Sequence, residues 1–188
     1  NGQWAVALWD STTRTFVLAR DRVGVRPAFM LEHEGRLYFA SEVKALFAGA
    51  PGFSRELDPI GLDETFTFWT VVPPQSVFKG VRELEPGHVA VWRNGVFVHD
   101  VAFWAPKYPV GAEHRFNGTL DEATEALTNA LETATKLRMV RADVPVGSYL
   151  SGGLDSSLVA ALASRAKPSG FRTFSLRFAD AEYDETPY

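Results

Sequence analysis

The first hundred residues carry the short, apolar-rich runs that are typical of antiparallel β-structure. The stretch GQWAVALWD is followed by the turn STTR and by the return run TFVLARD, which predicts a β-hairpin. The stretch AFMLEHEGRLYFAS predicts a second hairpin with EHEG as its turn. In VAVWRNGVFVHD, the dipeptide Asn94-Gly95 lies between two β-rich arms and is typical of a type I′ turn. This half is therefore predicted to be antiparallel sheet with short helices on it.

Two short helices are predicted within this half. Ser41 is placed to cap the segment EVKALFAG, which Gly49 or Gly52 would end. Asp58 and Pro59 predict a second helix start, because the aspartate can accept hydrogen bonds from free amides and proline at the first position leaves no donor unused.

The second half changes from period two to helical spacing and then to a strand–helix–strand pattern. Residues 105–118, APKYPVGAEHRFNG, contain two prolines and two glycines and predict a linker between domains. Apolar residues then recur at helical spacing and predict an amphipathic helix whose stripe faces a core: Leu120, Ala123, Leu127, Ala130, Leu131, Ala134 and Leu137. The runs VPVGSYL, SSLVAALASRA and FRTFSLRF predict a buried strand, a helix and a second strand, which is a βαβ unit of a parallel sheet.

Composition excludes several classes of protein. The 188 residues are 46% hydrophobic and 22% charged with a formal net charge of −4, as in an ordinary globular protein without a basic face for nucleic acid. No cysteine is present, so neither a disulfide framework nor a cysteine-rich zinc site can form within these residues. The longest uncharged stretch, residues 65–78, is too short to span a bilayer. The four histidines lack metal-ligand spacing: His33, His88, His99 and His114.

The candidate chemistry lies in the turn SGGLDSS, between the strand VPVGSYL and the helix that follows. Such a turn lies at the carboxyl edge of a parallel sheet, where open α/β sheets bind ligands. Gly152 and Gly153 let the backbone approach a phosphate closely, and the first amides of the helix attract an anion. The hydroxyls of Ser151, Ser156 and Ser157 add donors. A carboxylate repels phosphate, so Asp155 indicates a Mg²⁺ ion between the two.

Other glycine-turn motifs fit less well. A Walker A loop requires a lysine after its glycines, and none is present; a hydrolase elbow requires a glycine two residues before the nucleophile, where Tyr149 stands. A purely structural turn, with serine or aspartate capping a helix, remains the alternative to a phosphate site.

The turn SGGLDSS resembles the pyrophosphate loop of the N-type ATP pyrophosphatases, which include GMP synthetase, NAD synthetase, argininosuccinate synthetase and asparagine synthetase. Four segments in order, FVLARDRVGVRPAFM, LYFASEVKAL, LEPGHVAVW and ADVPVGSYLSGGLDSS, are similar to glutamine-hydrolysing asparagine synthetases, and the resemblance covers essentially the whole chain. Since the chain starts within a strand-like pattern and without methionine, we expect an internal fragment of a longer protein.

The resemblance implies the fold and its boundaries. Residues 1–104 would be the C-terminal part of an α+β glutaminase domain of the N-terminal-nucleophile type, with stacked antiparallel sheets and flanking helices. Residues 105–118 would be the linker. Residues 119–188 would begin an α/β ATP pyrophosphatase domain with a parallel sheet.

The resemblance also implies roles for individual residues. Ser151, Gly152, Gly153, Asp155 and Ser156 would hold the β and γ phosphates of ATP, and Asp155 would also bind Mg²⁺ as the catalytic acidic residue. The adenine pocket would use three further positions: Tyr149, Leu150 and Leu176. Tyr149 departs from the aliphatic residue that is common there.

Two other segments receive a structural interpretation. The segment RDRVGVRP is expected to be framework of the glutaminase sheet more than a contact to glutamine. Asp184 and Glu185 lie where a magnesium role is conceivable, but a solvated acidic loop is favoured.

The implied activity is that of an amide-forming ligase, in which ATP adenylates the aspartate β-carboxylate and ammonia from glutamine attacks the adenylate. The implied cofactors are ATP and Mg²⁺, and the implied substrates are aspartate and glutamine. The resemblance also implies a cytoplasmic protein, possibly a homodimer, that binds neither nucleic acid nor membrane. The cysteine nucleophile of the family has no counterpart here, so these residues alone would be inactive. The alternatives are a β-lactam synthetase-like or other amidotransferase-like ligase and a non-catalytic nucleotide-binding relative.

Overall fold

A computed structural model describes residues 2–108, 110–111 and 115–179. The chain forms two compact units, residues 1–108 and 109–188. Among the described residues, no helix combines the length and the apolar character that crossing a bilayer requires.

The first unit contains a four-stranded antiparallel sheet. Its strands are β1 (Ala5–Asp10), β2 (Thr15–Arg20), β6 (His88–Arg93) and β7 (Val96–Ala102), in the order β1-β2-β6-β7. The first and last predicted hairpins are thereby confirmed. Asn94 and Gly95 have φ values of 52° and 79°, the left-handed pair that a type I′ turn requires.

A three-stranded antiparallel sheet and two helices complete this unit. The strands β3 (Phe29–His33), β4 (Arg36–Ala40) and β5 (Val81–Glu83) lie in the order β4-β3-β5, and β3 and β4 form the second predicted hairpin. The helices are α1 (Val43–Gly49) and α2 (Pro59–Phe68).

Alternating residues of β3 fill two separate cores. Met30 belongs to a cluster with Leu18 and Trp92 from the four-stranded sheet, so the two sheets pack against each other. Leu31 points to the opposite face, where it packs with Leu46 of α1. The three-stranded sheet therefore lies between the four-stranded sheet and α1, as a stacked α+β arrangement requires.

One predicted helix cap is confirmed and one is wrong. The Asp58 carboxylate accepts a hydrogen bond from the amide of Ile60, 2.9 Å away, and Pro59 is the first helical residue. Ser41 does not cap α1, because the helix begins one residue later than the cap prediction requires. The residue at the cap position is Glu42, in extended conformation and without a side-chain cap bond; its carboxylate pairs with Lys44 instead.

The second unit contains α3 (Leu120–Val140), β8 (Gly147–Tyr149), α4 (Leu154–Ala166) and β9 (Arg172–Phe174). Thr119 and Glu122 form a reciprocal capping box at the start of α3. Strands β8 and β9 pair in parallel, with Tyr149 opposite Phe174, which confirms the βαβ prediction. Helices α3 and α4 pack together.

Burial in the second unit is lower than the sequence pattern predicts. Leu120 and Leu127 of the apolar stripe on α3 are 83% and 61% exposed, whereas the buried positions are Thr135 and Met139 in the last turns. The strand that was expected to be buried exposes 80% of Tyr149. Both expectations are wrong for the described residues. The sheet of the second unit has only two strands among those residues, β8 and β9. Helix α4 packs on β8, but none of the described residues covers Tyr149.

Candidate functional site

The turn SGGLDSS lies between β8 and α4, as its sequence context predicted. Gly152 has φ +85°, a left-handed conformation that side-chain-bearing residues rarely adopt. Gly153 is the N-cap of α4 with φ −69° and ψ 158°, so the backbone itself does not require glycine there. The first glycine makes the turn, and the second leaves open space beside it, since a Cβ would meet only the Ser151 Oγ atom, at 3.5 Å.

No side chain caps the start of α4. The first hydrogen bond of the helix joins the Ser157 amide to the Gly153 carbonyl at 3.1 Å. The amides of Leu154, Asp155 and Ser156 precede it, in the first turn, where helix geometry supplies no acceptor. Free amides at the positive end of a helix dipole are the kind of group that can bind an anion.

The two serines on either side of the glycines are bonded to each other. The Ser156 hydroxyl lies 3.1 Å from the Ser151 hydroxyl, accepts a hydrogen bond from the Ser151 amide at 3.2 Å, and donates to the Gly153 carbonyl at 3.0 Å. The Ser156 oxygen is therefore already engaged in bonds within the turn, while Ser151 remains exposed.

Leu150 connects the turn to the sheet through its backbone. Its amide donates to the Phe174 carbonyl at 2.9 Å, and its carbonyl accepts a hydrogen bond of 2.6 Å from the Ser175 hydroxyl, just beyond β9. Sequence reasoning missed Ser175. The one signal that could have found it is its position at the carboxyl end of the second parallel strand, beside the turn.

Two of the three residues that the resemblance places around adenine are exposed. Tyr149 is 80% exposed and Leu176 is 76% exposed, whereas Leu150 is half-buried. Tyr149 and its register partner Phe174 share one face of the two-stranded sheet. Both aromatic residues are exposed.

Asp155 lies in the first turn of α4 and is exposed. Across residues 2–108, 110–111 and 115–179, the structure brings no three histidine, cysteine or acidic side chains together as a metal would require. One carboxylate is nevertheless sufficient where phosphates complete the coordination, because Mg²⁺ commonly binds through one or two carboxylates, substrate phosphates and waters. Three residues named in the sequence analysis lie outside the described part of the chain: His114, Asp184 and Glu185.

The first two charged residues of the segment RDRVGVRP, Arg20 and Asp21, are buried in the first unit. The Arg20 guanidinium donates to the carbonyls of Arg26, Leu84 and Gly24 and pairs with Glu83 at 2.8 Å. Burial raises the pKa of Glu83 more than the neighbouring Arg20 lowers it. These contacts are the ones that a framework role requires.

Family models match most of the chain. A model described as a glutamine amidotransferase domain matches residues 1–104, and one described as asparagine synthase matches residues 126–188. A candidate glutamine-hydrolysing asparagine synthetase of Mycobacterium tuberculosis is 35% identical over 188 residues, which cover 98% of this chain and 28% of that protein.

Two further relatives are similar to the chain. A glutamine-hydrolysing asparagine synthetase of Bacillus subtilis is 32% identical over 166 residues, covering 87% of this chain and 26% of the relative. The amidase chyE of Penicillium rubens is 29% identical over 205 residues, covering 98% of this chain and 29% of the relative. The chain thus spans little more than a quarter of the length of these curated relatives.

Proposed function

Because the chain belongs to the family of glutamine-hydrolysing asparagine synthetases, we propose that the complete gene product is an ATP-dependent ligase that forms asparagine from aspartate and glutamine. The second unit would bind ATP, and the first unit would be part of a glutaminase domain of the N-terminal-nucleophile type.

One observation carries the nucleotide half of this proposal: a glycine turn at the carboxyl end of a parallel strand opens onto a helix start that no side chain caps. We assign the β and γ phosphates to the amides of this turn and of the first turn of α4, with the Ser151 hydroxyl as a further donor. The left-handed Gly152 gives the turn its shape. Tyr149, Leu150 and Leu176 are assigned to the adenine side, as the resemblance to the family implies; Tyr149 and Leu150 directly precede the turn.

The proposed reaction has two steps. A carboxylate oxygen of aspartate attacks the α-phosphorus of ATP, an oxygen–phosphorus bond forms, the bond to the bridging oxygen of the β-phosphate breaks, and pyrophosphate leaves. Ammonia then attacks the acyl carbon, a carbon–nitrogen bond forms, the carbon–oxygen bond to AMP breaks, and one ammonia proton is released to solvent. The carboxylate becomes a usable electrophile only because AMP is a good leaving group.

Donors aimed at the departing pyrophosphate would lower the barrier of the first step. Fixed amides at a helix start need no reorganisation as charge develops, and such contacts are typically worth about 3 kcal/mol each in the transition state. Asp155 would hold Mg²⁺ against the phosphate chain; when bound, the ion neutralises charge on the leaving group.

The glutaminase half of the reaction needs a nucleophile that these residues do not supply. The 188 residues contain no cysteine, and the family releases ammonia from glutamine with a cysteine thiolate. We therefore propose that Arg20, Asp21 and their neighbours support the glutaminase fold without contacting glutamine, and that the chain alone hydrolyses none.

A second candidate is favoured by one of the relatives. The similarity to the amidase chyE, 29% over 98% of the chain, is close to that of the asparagine synthetases. An enzyme of the same architecture that handles another acyl group is thus the alternative, and a nucleotide-binding relative without turnover is a third.

Product analysis separates these functions. The complete gene product should release AMP and pyrophosphate from ATP when given aspartate and glutamine, with asparagine and glutamate as co-products. AMP release with a different carboxylate only would favour the second candidate, and MgATP binding without any release would favour the third.

A further inference from the structure

The peptide unit between Leu150 and Ser151 is held from both sides by serine hydroxyls. Its carbonyl, on Leu150, accepts a hydrogen bond of 2.6 Å from Ser175. Its amide, on Ser151, donates a hydrogen bond of 3.2 Å to Ser156. One hydroxyl comes from the residue just after β9 and the other from the first turn of α4, so two separate parts of the second unit fix the plane of a single peptide group.

This peptide is the entry to the glycine turn. Ser151 and then Gly152 follow it, and Gly152 is in the left-handed conformation, which a glycine can leave easily because it has many accessible backbone states. Rotation of the 150–151 peptide plane would re-aim the Ser151 amide and displace the backbone of the turn that follows. The two hydroxyls therefore fix the peptide group from which the flexible glycine turn starts.

We infer that Ser175 is a positioning residue for the nucleotide-phosphate site, acting with Ser156 to hold the 150–151 peptide in the orientation that receives ATP. The inference rests on the proposed function of the turn. Ser175 does not contact the phosphates in this account; it acts through the Leu150 carbonyl. Ser156, whose oxygen already bonds to both Ser151 and Gly153, acts mainly in the same way.

The expected consequence is a change in ATP affinity and not in the rate of the chemical step. Without the Ser175 bond, part of the free protein would hold the peptide in other orientations. The apparent affinity for ATP would then fall in proportion to the fraction of the protein that keeps the binding orientation. Bound phosphates would restore the turn, so turnover at saturating ATP would change little. Loss of one hydrogen bond of this type corresponds to a factor of about three to ten.

The test compares Ser175→Ala with Ser175→Thr in the complete gene product. Isothermal titration with MgATP should show a dissociation constant about three- to tenfold higher for the alanine variant, and a value within about twofold of wild type for the threonine variant, which keeps the hydroxyl. The dissociation constant for AMP should change by less than about twofold in both variants, because AMP lacks the β and γ phosphates. The KM for ATP should rise with kcat nearly unchanged.

Ser148→Ala is the matched control. The Ser148 hydroxyl donates to the next carbonyl of its own strand, Tyr149, at 3.0 Å, and does not reach the 150–151 peptide. This variant removes the same chemical group from the same small sheet, and its affinity for MgATP should equal that of wild type.

The double variant tests whether the two serines act on one peptide. If both bonds are required to fix the peptide, the loss of either one already frees it. Ser156→Ala combined with Ser175→Ala should then weaken MgATP binding less than the product of the two single effects. A full product would contradict a shared role.

Failure of this inference is distinguishable from failure of the proposed function. If wild type does not bind MgATP, the proposed function is wrong. If wild type binds and Ser175→Ala binds equally well, or if kcat falls while the KM for ATP stays constant, the positioning role is wrong. Equal weakening of MgATP and AMP would also overturn it, since it would place the effect on the adenine side near Leu176.

Discussion

The carboxylate of Asp21 accepts a hydrogen bond from the backbone amide of Arg26, at a distance of 3.1 Å. The same carboxylate accepts from the amides of Val23, Val25 and Trp4, so one side chain that is 1% exposed organises a whole loop of the first unit. The conformation of this loop therefore depends on one acceptor that serves four donors.

Replacing Asp21 by alanine should strongly destabilise the first unit. Four backbone amides would lose their acceptor in a buried place, and we expect a cost of about 3 kcal/mol or more in the free energy of unfolding. Urea unfolding, monitored by the hydrogen exchange of peptides from residues 15–31, measures this loss in the free energy of unfolding. The control is Asp10→Ala, whose carboxylate bonds to Thr12 and Thr13 in an exposed turn and should cost less than about 1 kcal/mol. Equal effects of the two variants would contradict the role of Asp21.

The contribution of Asp21 should disappear in acid. Burial alone would raise the pKa of this carboxyl, but the four amide hydrogen bonds outweigh burial and lower the pKa below the ordinary value of 3.8. The ionised group therefore stabilises the native state above pH 3.8, and this stabilisation is lost as the pH falls through the lower native pKa.

Glu83 has the opposite pH dependence, since burial raises its pKa above 4.5. The stabilisation that its protonated form contributes is present below pH 4.5 and is lost as the pH rises through the native pKa.

Asp21→Asn isolates this effect. Its free energy of unfolding should depend less steeply on pH than that of wild type between about pH 2 and 4. An unchanged slope would show that Asp21 carries no linked proton in this range.

Gly152→Ala should weaken nucleotide binding through the backbone. A left-handed conformation costs an alanine about 1–2 kcal/mol, which corresponds to roughly five- to thirtyfold in affinity for MgATP. Gly170→Ala is the matched control, because Gly170 has a similar φ of +76° but lies beyond α4, with nothing within 4 Å of an added Cβ. Titration of both variants with MgATP tests the assignment. Parallel losses would indicate a general effect of strain in the second unit.

Residues 105–118 should be the first part of the complete gene product that trypsin cuts. Lys107 and Arg115 are exposed within this proposed linker. Arg14 and Arg36 are also exposed, but they lie at hairpin turns, where strand pairing holds the backbone away from a protease. Mass spectrometry of early digests identifies the first cuts. Earlier cleavage after Arg14 or Arg36 would contradict the linker assignment.

The sequence predicted the elements of this fold better than their burial. Asn94-Gly95 and Asp58-Pro59 carry local signals, because turn and cap geometry depend on neighbouring residues, and both predictions are confirmed. The cap by Ser41 was wrong, because extended Glu42 lies between that serine and the first helical residue. Leu127 and Tyr149 are exposed although their patterns predict burial, since burial depends on what packs against a face and the pattern does not specify it.

The candidate site was predictable to a similar extent. The motif SGGLDSS predicts a glycine turn between a strand and a helix, and the structure has that turn, with a left-handed Gly152 and an uncapped start of α4. Its role in binding phosphate stays a prediction. The position of Ser175 after the second predicted strand was readable, but its hydrogen bond to Leu150 was not, because the bond joins residues that are 25 positions apart. Such a contact exists only once the two parallel strands are paired.

Asp155→Asn in the complete gene product tests the central claim most directly. The substitution keeps the shape of the side chain but removes the charge assigned to Mg²⁺, so AMP and pyrophosphate release with aspartate, ATP and ammonia should fall about a hundred- to a thousandfold. Glutamate release from glutamine should stay within about twofold of wild type, because the glutaminase groups lie outside the second unit. Full ligase activity in a correctly folded variant would contradict the role of Asp155, and ADP with phosphate as products of wild type would contradict the adenylating function itself.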